Sequence, residues 1–156
     1  MTEINSGMDT IDRRLVALLL EDARLTYQEL GRAVRLSANT TADRVRRLRA
    51  SGVLRGYHAA LDYDAIGRPL HLISDVRLKE GTVNAAFEQG LAAIPQLTEA
   101  YRVTGEYDYQ LRLSCTGTDE FEQILDALKR DHSVREVRSR LVLHAIPMPS
   151  ARVLDL

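Results

Sequence analysis

Apolar residues in the N-terminal third of the chain recur every three or four positions, which is the spacing of helices packed through one face. This period predicts three helices, over residues 10–22, 26–34 and 38–51. Ser37 has the short polar side chain that caps a helix start, and Gly52 is a residue type that ends one. Because only a short turn separates the second and third helices, the segment is expected to form a helix-turn-helix of the winged-helix-like type.

The pattern changes to strict alternation further along the chain, which is typical of strands with one packed face. Strands and helices then follow in the order βαββαβ, and their predicted ranges are 70–78, 83–94, 97–103, 109–115, 118–130 and 134–146. This order predicts a ferredoxin-like split sandwich, in which both helices cover one face of the sheet. The fold class is therefore α+β.

Residues 53–68 join the two patterns. Residues 52–62 are too short a segment and too rich in β-formers for another helix, and residues 63–69 end in turn residues, so a β-strand followed by a hinge is predicted. The predicted domains are then 1–52 for the helix-turn-helix, 53–68 for the linker, and 69–156 for the βαββαβ domain, which would bind a ligand and mediate oligomerisation.

The predicted sheet has helices on only one face, so its other face needs a cover. Ile73, Tyr101, Val103 and Val142 are among the residues expected there. Apolar side chains exposed in this way favour association with a second copy. We therefore expect a homodimer built through the βαββαβ domain.

Charge is distributed unevenly along the chain, although the formal net charge is only -1. Residues 24–58 contain eight arginines against two acidic residues, whereas residues 63–156 contain eleven basic and fourteen acidic ones. A basic helical domain fits a polyanion such as double-stranded DNA. A charge run can also be an ordinary solvated face, so the helical context has to decide.

The third predicted helix separates packed positions from exposed ones. At 100° per residue the packed face carries Ala38, Thr41, Val45 and Leu48. A recognition helix reaches base edges from its first turns and its exposed face, where Asn pairs with adenine and Arg with guanine. The base-reading candidates are Asn39, Thr40, Asp43 and Arg47.

Other arginines of this region are expected to contact phosphates, which gives affinity rather than sequence choice. These are Arg46, Arg49 and Arg55. Arg44 lies at the edge of the packed stripe, where its guanidinium can meet either a carboxylate or a phosphate, and the structural role is the first interpretation.

Composition narrows the function classes. No apolar run approaches the roughly 20 residues of a membrane span, and the first residues do not look like a secretory signal, so a cytoplasmic protein without membrane contacts is expected. Cys115 is the single cysteine and is expected to be a buried core thiol without a catalytic role. Neither a cofactor nor a metal is predicted.

Several short pieces of the chain have a characteristic order and spacing. They are residues 11–15, 22–24, 36–37, 44–45 with Leu48, 51–57, 103–109 and 134–143. Through these pieces, nearly the whole chain resembles the Lrp/AsnC family of transcription regulators, also called feast/famine regulators.

The resemblance implies dimers that often gather into octamers, with an amino acid or a related small molecule bound between neighbouring dimers. The family's glycine-containing loop maps to Gly105, Glu106, Tyr107 and Asp108, where Asp108 could pair with an α-amine or could instead cap its own turn. A hydroxyl from a neighbouring subunit maps to Ser139. Tyr101 and Val103 could shape the pocket, or could serve as dimer-interface packing.

Two positions depart from the family pattern. Arg35 stands in the turn where many relatives carry glycine, so a left-handed backbone there would be strained by about 1 kcal/mol. Thr41 stands where an aliphatic residue is common.

Two other classes of protein are possible. Tetrapyrrole decarboxylases resemble this family in architecture but need histidines gathered near a cavity, whereas His58, His71, His132 and His144 are scattered and show no HxxxH spacing. A small-molecule sensor or scaffold that has lost DNA binding is the other alternative. The six excess positive charges of residues 24–58 argue against it.

Overall fold

The structure is a computed structural model and describes residues 7–154. The outermost residues of the predicted domains, 1–6 and 155–156, lie outside the described part of the chain. Contacts divide the chain into two compact units. Of the described residues, one unit contains 7–59 together with 147–154, and the other contains 60–146.

Three helices form the first unit: α1 (Thr10–Glu21), α2 (Tyr27–Val34) and α3 (Ala38–Ala50). Each helix is preceded by a polar N-cap residue that bonds to a backbone N–H in the first turn. Asp9 and Thr26 form capping boxes at α1 and α2, and the Ser37 hydroxyl accepts a hydrogen bond from the backbone N–H of Thr40 at α3. Because capping depends on neighbouring residues only, the helix starts could be predicted from sequence.

The core of this unit is a cluster of aliphatic side chains from all three helices, in which Leu15, Leu30 and Val45 are almost fully buried. On α3 the packed positions are Thr41, Ala42, Val45 and Leu48. The prediction was therefore wrong for Ala38, which is exposed; it lies on the same stripe as Ala42 but in the first turn, where solvent still reaches it.

The second unit contains the predicted βαββαβ order: β1 (Leu70–Leu78), α4 (Asn84–Leu91), β2 (Leu97–Arg102), β3 (Tyr109–Cys115), α5 (Thr118–Asp131) and β4 (Val134–Leu141). The strands pair antiparallel in the order β2-β3-β1-β4. Residues of both helices join the apolar cluster on one sheet face, including Phe87 of α4 and Leu128 of α5. The α+β class and the split-sandwich topology are confirmed.

The other sheet face is more polar than the sequence pattern indicated. Tyr101 and Val103 are exposed, as expected, whereas Ile73 and Val142 are half-buried. Cross-strand ion pairs occupy much of the remaining surface, including Arg140 with Asp75 at 2.6 Å and Arg112 with Glu99 at 3.4 Å. A partner on this face would therefore meet paired charges beside apolar side chains.

The predicted strand in the linker is absent. Residues 53–68 contain turns and irregular chain, and none of the described residues pairs with 55–62 as a neighbouring strand. A strand needs backbone partners, and a β-rich composition cannot supply them. For the same reason β4 ends at Leu141 rather than at residue 146: Leu141 pairs with Leu72, close to the start of β1, and little partner strand remains.

The C-terminal segment also differs from the predicted domain division, which assigned all of 69–156 to the sheet domain. Residues Ser150–Leu154 form a short 3-10 helix that packs on α1. The Arg13 guanidinium donates to the Leu154 carbonyl at 3.3 Å. The helical unit is therefore completed by residues from the far end of the chain.

Candidate DNA and effector sites

The exposed face of α3 carries most of the predicted base-reading residues. Asn39, Thr40, Asp43 and Arg47 are all exposed. No described residue forms an ion pair with Arg47 or a side-chain hydrogen bond with Asn39. These two side chains are therefore available to a ligand.

Two other candidates on this face are partly engaged. The Thr40 hydroxyl lies 2.8 Å from the Ser37 hydroxyl in the cap of α3. Asp43 pairs with Arg46 one turn later, and both side chains are about two-thirds exposed. Contacts of Asp43 or Arg46 with DNA would have to compete with this exposed pair, which is worth little in water.

Arg44 connects α3 to the start of α1. Its guanidinium lies 2.7 Å from Asp9 and 2.8 Å from Asp12, and only 19% of its side chain is exposed. The backbone N–H of Asp12, followed by Arg44, holds the pKa of Asp9 below its usual value. Hydrogen bonds to Asp12 and Asp9 raise the pKa of Arg44. The structure thus favours the structural interpretation of Arg44 over phosphate contact.

The turn between α2 and α3 depends on two unusual positions. Arg35 has φ 58° and ψ 43°, the left-handed conformation expected to strain a non-glycine residue. This reversal lets the Leu36 N–H return to the Gly31 carbonyl at 2.8 Å. A Cβ at Gly31 would lie 2.6 Å from the Leu36 carbonyl oxygen, so only glycine allows this close approach.

Thr41 fits into the same packing. It is fully buried, and its hydroxyl donates to the Ser37 carbonyl at 2.9 Å. Thr41, at a position where an aliphatic residue is common, therefore buries a hydroxyl that has a hydrogen-bond partner.

The arginine cleft lies where α3 ends. It is a cavity of about 610 Å³ lined by Arg46, Arg49, Ala50, Gly52, Leu54 and Arg55. All three residues that were predicted to contact phosphates thus lie around one cavity. Its ionisable lining residues are all cationic.

The predicted effector loop, residues 103–108, connects β2 to β3. The Val103 N–H donates to the Asp108 carbonyl and the Asp108 N–H donates to the Val76 carbonyl, both at 2.9 Å. Gly105 has φ 112°, a conformation that favours glycine. The Asp108 carboxylate accepts from the backbone N–H of Leu78 at 2.8 Å, where the pairing of β1 with β4 is irregular. Asp108 therefore has a structural hydrogen bond within the chain.

Tyr107 lies among charged side chains that were not predicted from the sequence to be near it. Its hydroxyl donates to Glu136 at 3.1 Å, and its ring lies 5.1 Å from the Arg77 guanidinium and 5.5 Å from that of Arg138. Burial, and then the hydrogen bond to Glu136, raises the pKa of Tyr107. Glu106 pairs with Arg77 at 3.0 Å. Strand alternation could have placed Arg77, Glu136 and Arg138 on one face, but not beside Tyr107.

Ser139 and Tyr101 contact other residues than this loop. The Ser139 hydroxyl lies 2.8 Å from that of Ser74, its cross-strand partner. The Tyr101 hydroxyl donates to Glu99 at 2.7 Å, and this bond raises the pKa of Tyr101. Within one chain the structure therefore brings together residues 103–108 but leaves Ser139 elsewhere on the sheet.

A hydrogen-bonded series resembling a catalytic triad is also present. His71 lies 2.6 Å from Asp64 and 3.0 Å from the Ser114 hydroxyl. Ser114 is only 3% exposed, so almost none of its side chain is accessible to a substrate. Among the described residues, no group of three or more His, Cys, Asp or Glu side chains could hold a metal ion. In the same part of the chain, no helix is long and apolar enough to cross a membrane.

Comparison with known families decides what these features belong to. The sequence matches the AsnC-type helix-turn-helix domain over residues 8–49 and the Lrp/AsnC ligand binding domain over residues 72–150. The chain belongs to the Lrp/AsnC family. This Lrp/AsnC protein is thus a transcription regulator with a DNA-binding helix-turn-helix domain and a ligand-binding domain, and the resemblance inferred from its sequence is confirmed.

Individual relatives support the same assignment. The leucine-responsive regulatory protein of Rhizobium meliloti is 33% identical, and the match covers 89% of this chain and 91% of that protein. The HTH-type transcriptional regulator FL11 of Pyrococcus horikoshii is 27% identical, with 87% and 89% covered. These relatives are regulators rather than enzymes, which decides against the decarboxylase alternative.

A solved structure of a relative matches the fold closely. A transcriptional regulator of Neisseria meningitidis in complex with L-Met superposes with a TM-score of 0.85 at 27% identity. The match covers 92% of this Lrp/AsnC chain and 95% of the other.

Proposed function

We propose that this Lrp/AsnC regulator acts in the cytoplasm as a homodimer that can assemble further, up to an octamer, and that its paired α3 helices read an inverted repeat. Dimerisation places two copies of α3 at a fixed separation, so half-sites should lie one or more helical turns apart. The observation that carries the proposal is the exposed face of α3, where Asn39 and Arg47 have no side-chain partner among the described residues.

The support for a dimer comes from the sheet face opposite the helices. Tyr101 and Val103 are 48% and 37% exposed on one chain, beside cross-strand ion pairs. A second copy would cover this surface and satisfy its mixture of apolar and charged groups.

Arg47→Ala tests the reading of sequence by α3. If Arg47 contacts a base edge, the variant should bind the operator about 5- to 150-fold more weakly, since one bidentate contact contributes about 1–3 kcal/mol of discrimination. Its affinity for random duplex should change little. Fluorescence anisotropy with both duplexes measures the difference, and Arg14→Ala, on the exposed surface of α1, is the matched control.

We further propose that an amino acid or a related small molecule binds at residues 103–108 between subunits and alters DNA binding or assembly. Free backbone groups of the loop and the second carboxylate oxygen of Asp108 offer partners to a carboxylate and an amine. The leucine-responsive relative and the relative in complex with L-Met support this ligand class. Ser139 would come from a neighbouring subunit, since within the chain it bonds to Ser74.

Asp108→Asn tests the effector proposal. The Asn side chain can still accept from the Leu78 N–H, so the fold should be retained, whereas the charge that would pair with an amine is removed. We expect the wild-type protein to gain thermal stability with at least one amino acid, and the variant to lose that gain. A wild-type protein that no amino acid stabilises would contradict the proposal.

A further inference from the structure

The arginine cleft is built by the way in which α3 ends. Gly52 has φ 79°, and the Leu54 N–H returns to the Leu48 carbonyl at 3.0 Å. The Leu54 side chain packs against the apolar core of the helical unit. The turn is thus anchored at both its backbone and its side chain. As a result Arg55 is held beside the last turns of α3, next to Arg46 and Arg49.

The charges of the cleft are not neutralised by its own lining. No described residue forms an ion pair with Arg49 or Arg55, and both are exposed. Arg46 is the exception, because it pairs with Asp43 outside the cleft lining. A cavity with two unpaired guanidinium groups and a third nearby is complementary to a phosphate, which can accept several charge-assisted hydrogen bonds.

Tyr57 contacts Arg49, one of the residues that line this cleft. The Arg49 guanidinium carbon is 5.9 Å from the centre of the Tyr57 ring, within the range of a cation–π contact. Such stacking leaves the edge of the guanidinium free for hydrogen bonds while it restricts the plane of the group. Tyr57 can therefore act as a positioning residue for Arg49.

The position of the cleft along α3 fits the dimensions of DNA. Arg49 follows Thr40 by nine residues, which is about 14 Å along a helix axis. The major groove is about 12 Å wide. If α3 crosses the groove with its first turns at base edges, a length of about 14 Å would bring the end of the helix to the phosphate backbone at the side of the groove.

We propose that the arginine cleft is a clamp for one backbone phosphate of the operator, in which Arg49 and Arg55 supply the hydrogen bonds and Tyr57 orients Arg49. The clamp fixes how far and at what angle α3 enters the groove. This inference rests on the proposed reading of DNA by α3 and names how the end of that helix is held.

The salt dependence of operator binding tests the clamp. Because both arginines hold the same phosphate, the double variant Arg49→Gln, Arg55→Gln should reduce the slope of log K against log salt concentration by about 0.9, the value for one lost phosphate contact, and each single variant should reduce it by less. Arg14→Gln removes the same charge from the exposed surface of α1 and should leave the slope unchanged. Arg49→Lys should keep the slope but weaken binding, because a lysine keeps the charge without the two-pronged geometry.

The role of Tyr57 has its own readout. Tyr57→Phe keeps the ring and should bind as the wild type does, whereas Tyr57→Leu should weaken binding. That loss should disappear when Arg49 is already Gln. In a series of operators, one backbone phosphate at a time can be replaced by a neutral methylphosphonate. At one position the replacement should weaken binding by the wild type but not by the double variant Arg49→Gln, Arg55→Gln.

The outcomes separate this inference from the function on which it rests. If the wild type binds its operator and the slope of the double variant Arg49→Gln, Arg55→Gln equals that of Arg14→Gln, the clamp is wrong while DNA reading by α3 stands. If Tyr57→Leu weakens binding equally with or without Arg49, the positioning role of Tyr57 is wrong. If the wild type binds no duplex selectively, the proposed function fails and the clamp fails with it.

Discussion

Replacement of Arg35 by glycine should stabilise this protein, because its backbone is left-handed at that position. The left-handed conformation costs a non-glycine residue about 1–2 kcal/mol. Glycine loses more conformational entropy on folding than other residues do. This loss costs about 0.5–1 kcal/mol and offsets part of the relieved strain. Arg35 is exposed and pairs with no acidic group among the described residues, so little else is lost. With the middle of each range, the expected net gain in the free energy of unfolding is about 0.75 kcal/mol.

Thermal unfolding followed by circular dichroism is the suitable assay, since the chain has no tryptophan to report by fluorescence. For a chain of this size the expected gain raises the Tm by about 1–4 °C. Arg35→Ala is the control, because it removes the same charge and side chain but keeps the Cβ that creates the strain. If Arg35→Gly is no more stable than Arg35→Ala, the argument from backbone strain is refuted.

Two further predictions concern charged side chains with partners inside their own unit. Arg44→Ala should lower the free energy of unfolding by about 1–2 kcal/mol, since it leaves the mostly buried Asp12 carboxylate unpaired; Arg47→Ala, measured by the same urea titration, should change it by less than about 0.5 kcal/mol. The backbone N–H of Thr116, then Gln96, lowers the pKa of Glu120 to about 2. The ionised Glu120 side chain therefore contributes fully to the free energy of unfolding above its unfolded pKa. This contribution, about 1–2 kcal/mol after allowance for solvent screening, is lost as the pH falls towards 2. Glu120→Gln should lose less stability than the wild type between pH 5 and 2, and parallel curves would contradict this assignment.

Features that depend on neighbouring residues could be predicted from the sequence. The starts of α1, α2 and α3 follow from Asp9, Thr26 and Ser37, each of which accepts a hydrogen bond from the backbone N–H three residues later. The strands of the second unit follow from alternation, since every other residue of β1 from Leu72 to Leu78 is buried. These patterns contain the information that forms the elements.

Features that depend on residues far apart in the chain could not be predicted from the sequence. The partners of Arg44 lie more than thirty residues away, so the sequence left open whether it meets a carboxylate or a phosphate. The linker has the composition of a strand, but the described chain provides no strand beside it. The surroundings of Tyr107 come from β1 and β4, and the hydrogen bond that Asp108 accepts from the Leu78 N–H joins residues thirty positions apart. Long-range pairing decided each of these cases.

The central claim is that the exposed face of α3 reads a specific operator. The most direct measurement is the affinity of the wild-type protein for its genome-mapped operator and for a scrambled duplex of equal length and composition, at physiological salt. The account predicts that the operator is bound at least about 1000-fold more tightly, as specific DNA readers do. Equal affinity for the two duplexes would contradict it.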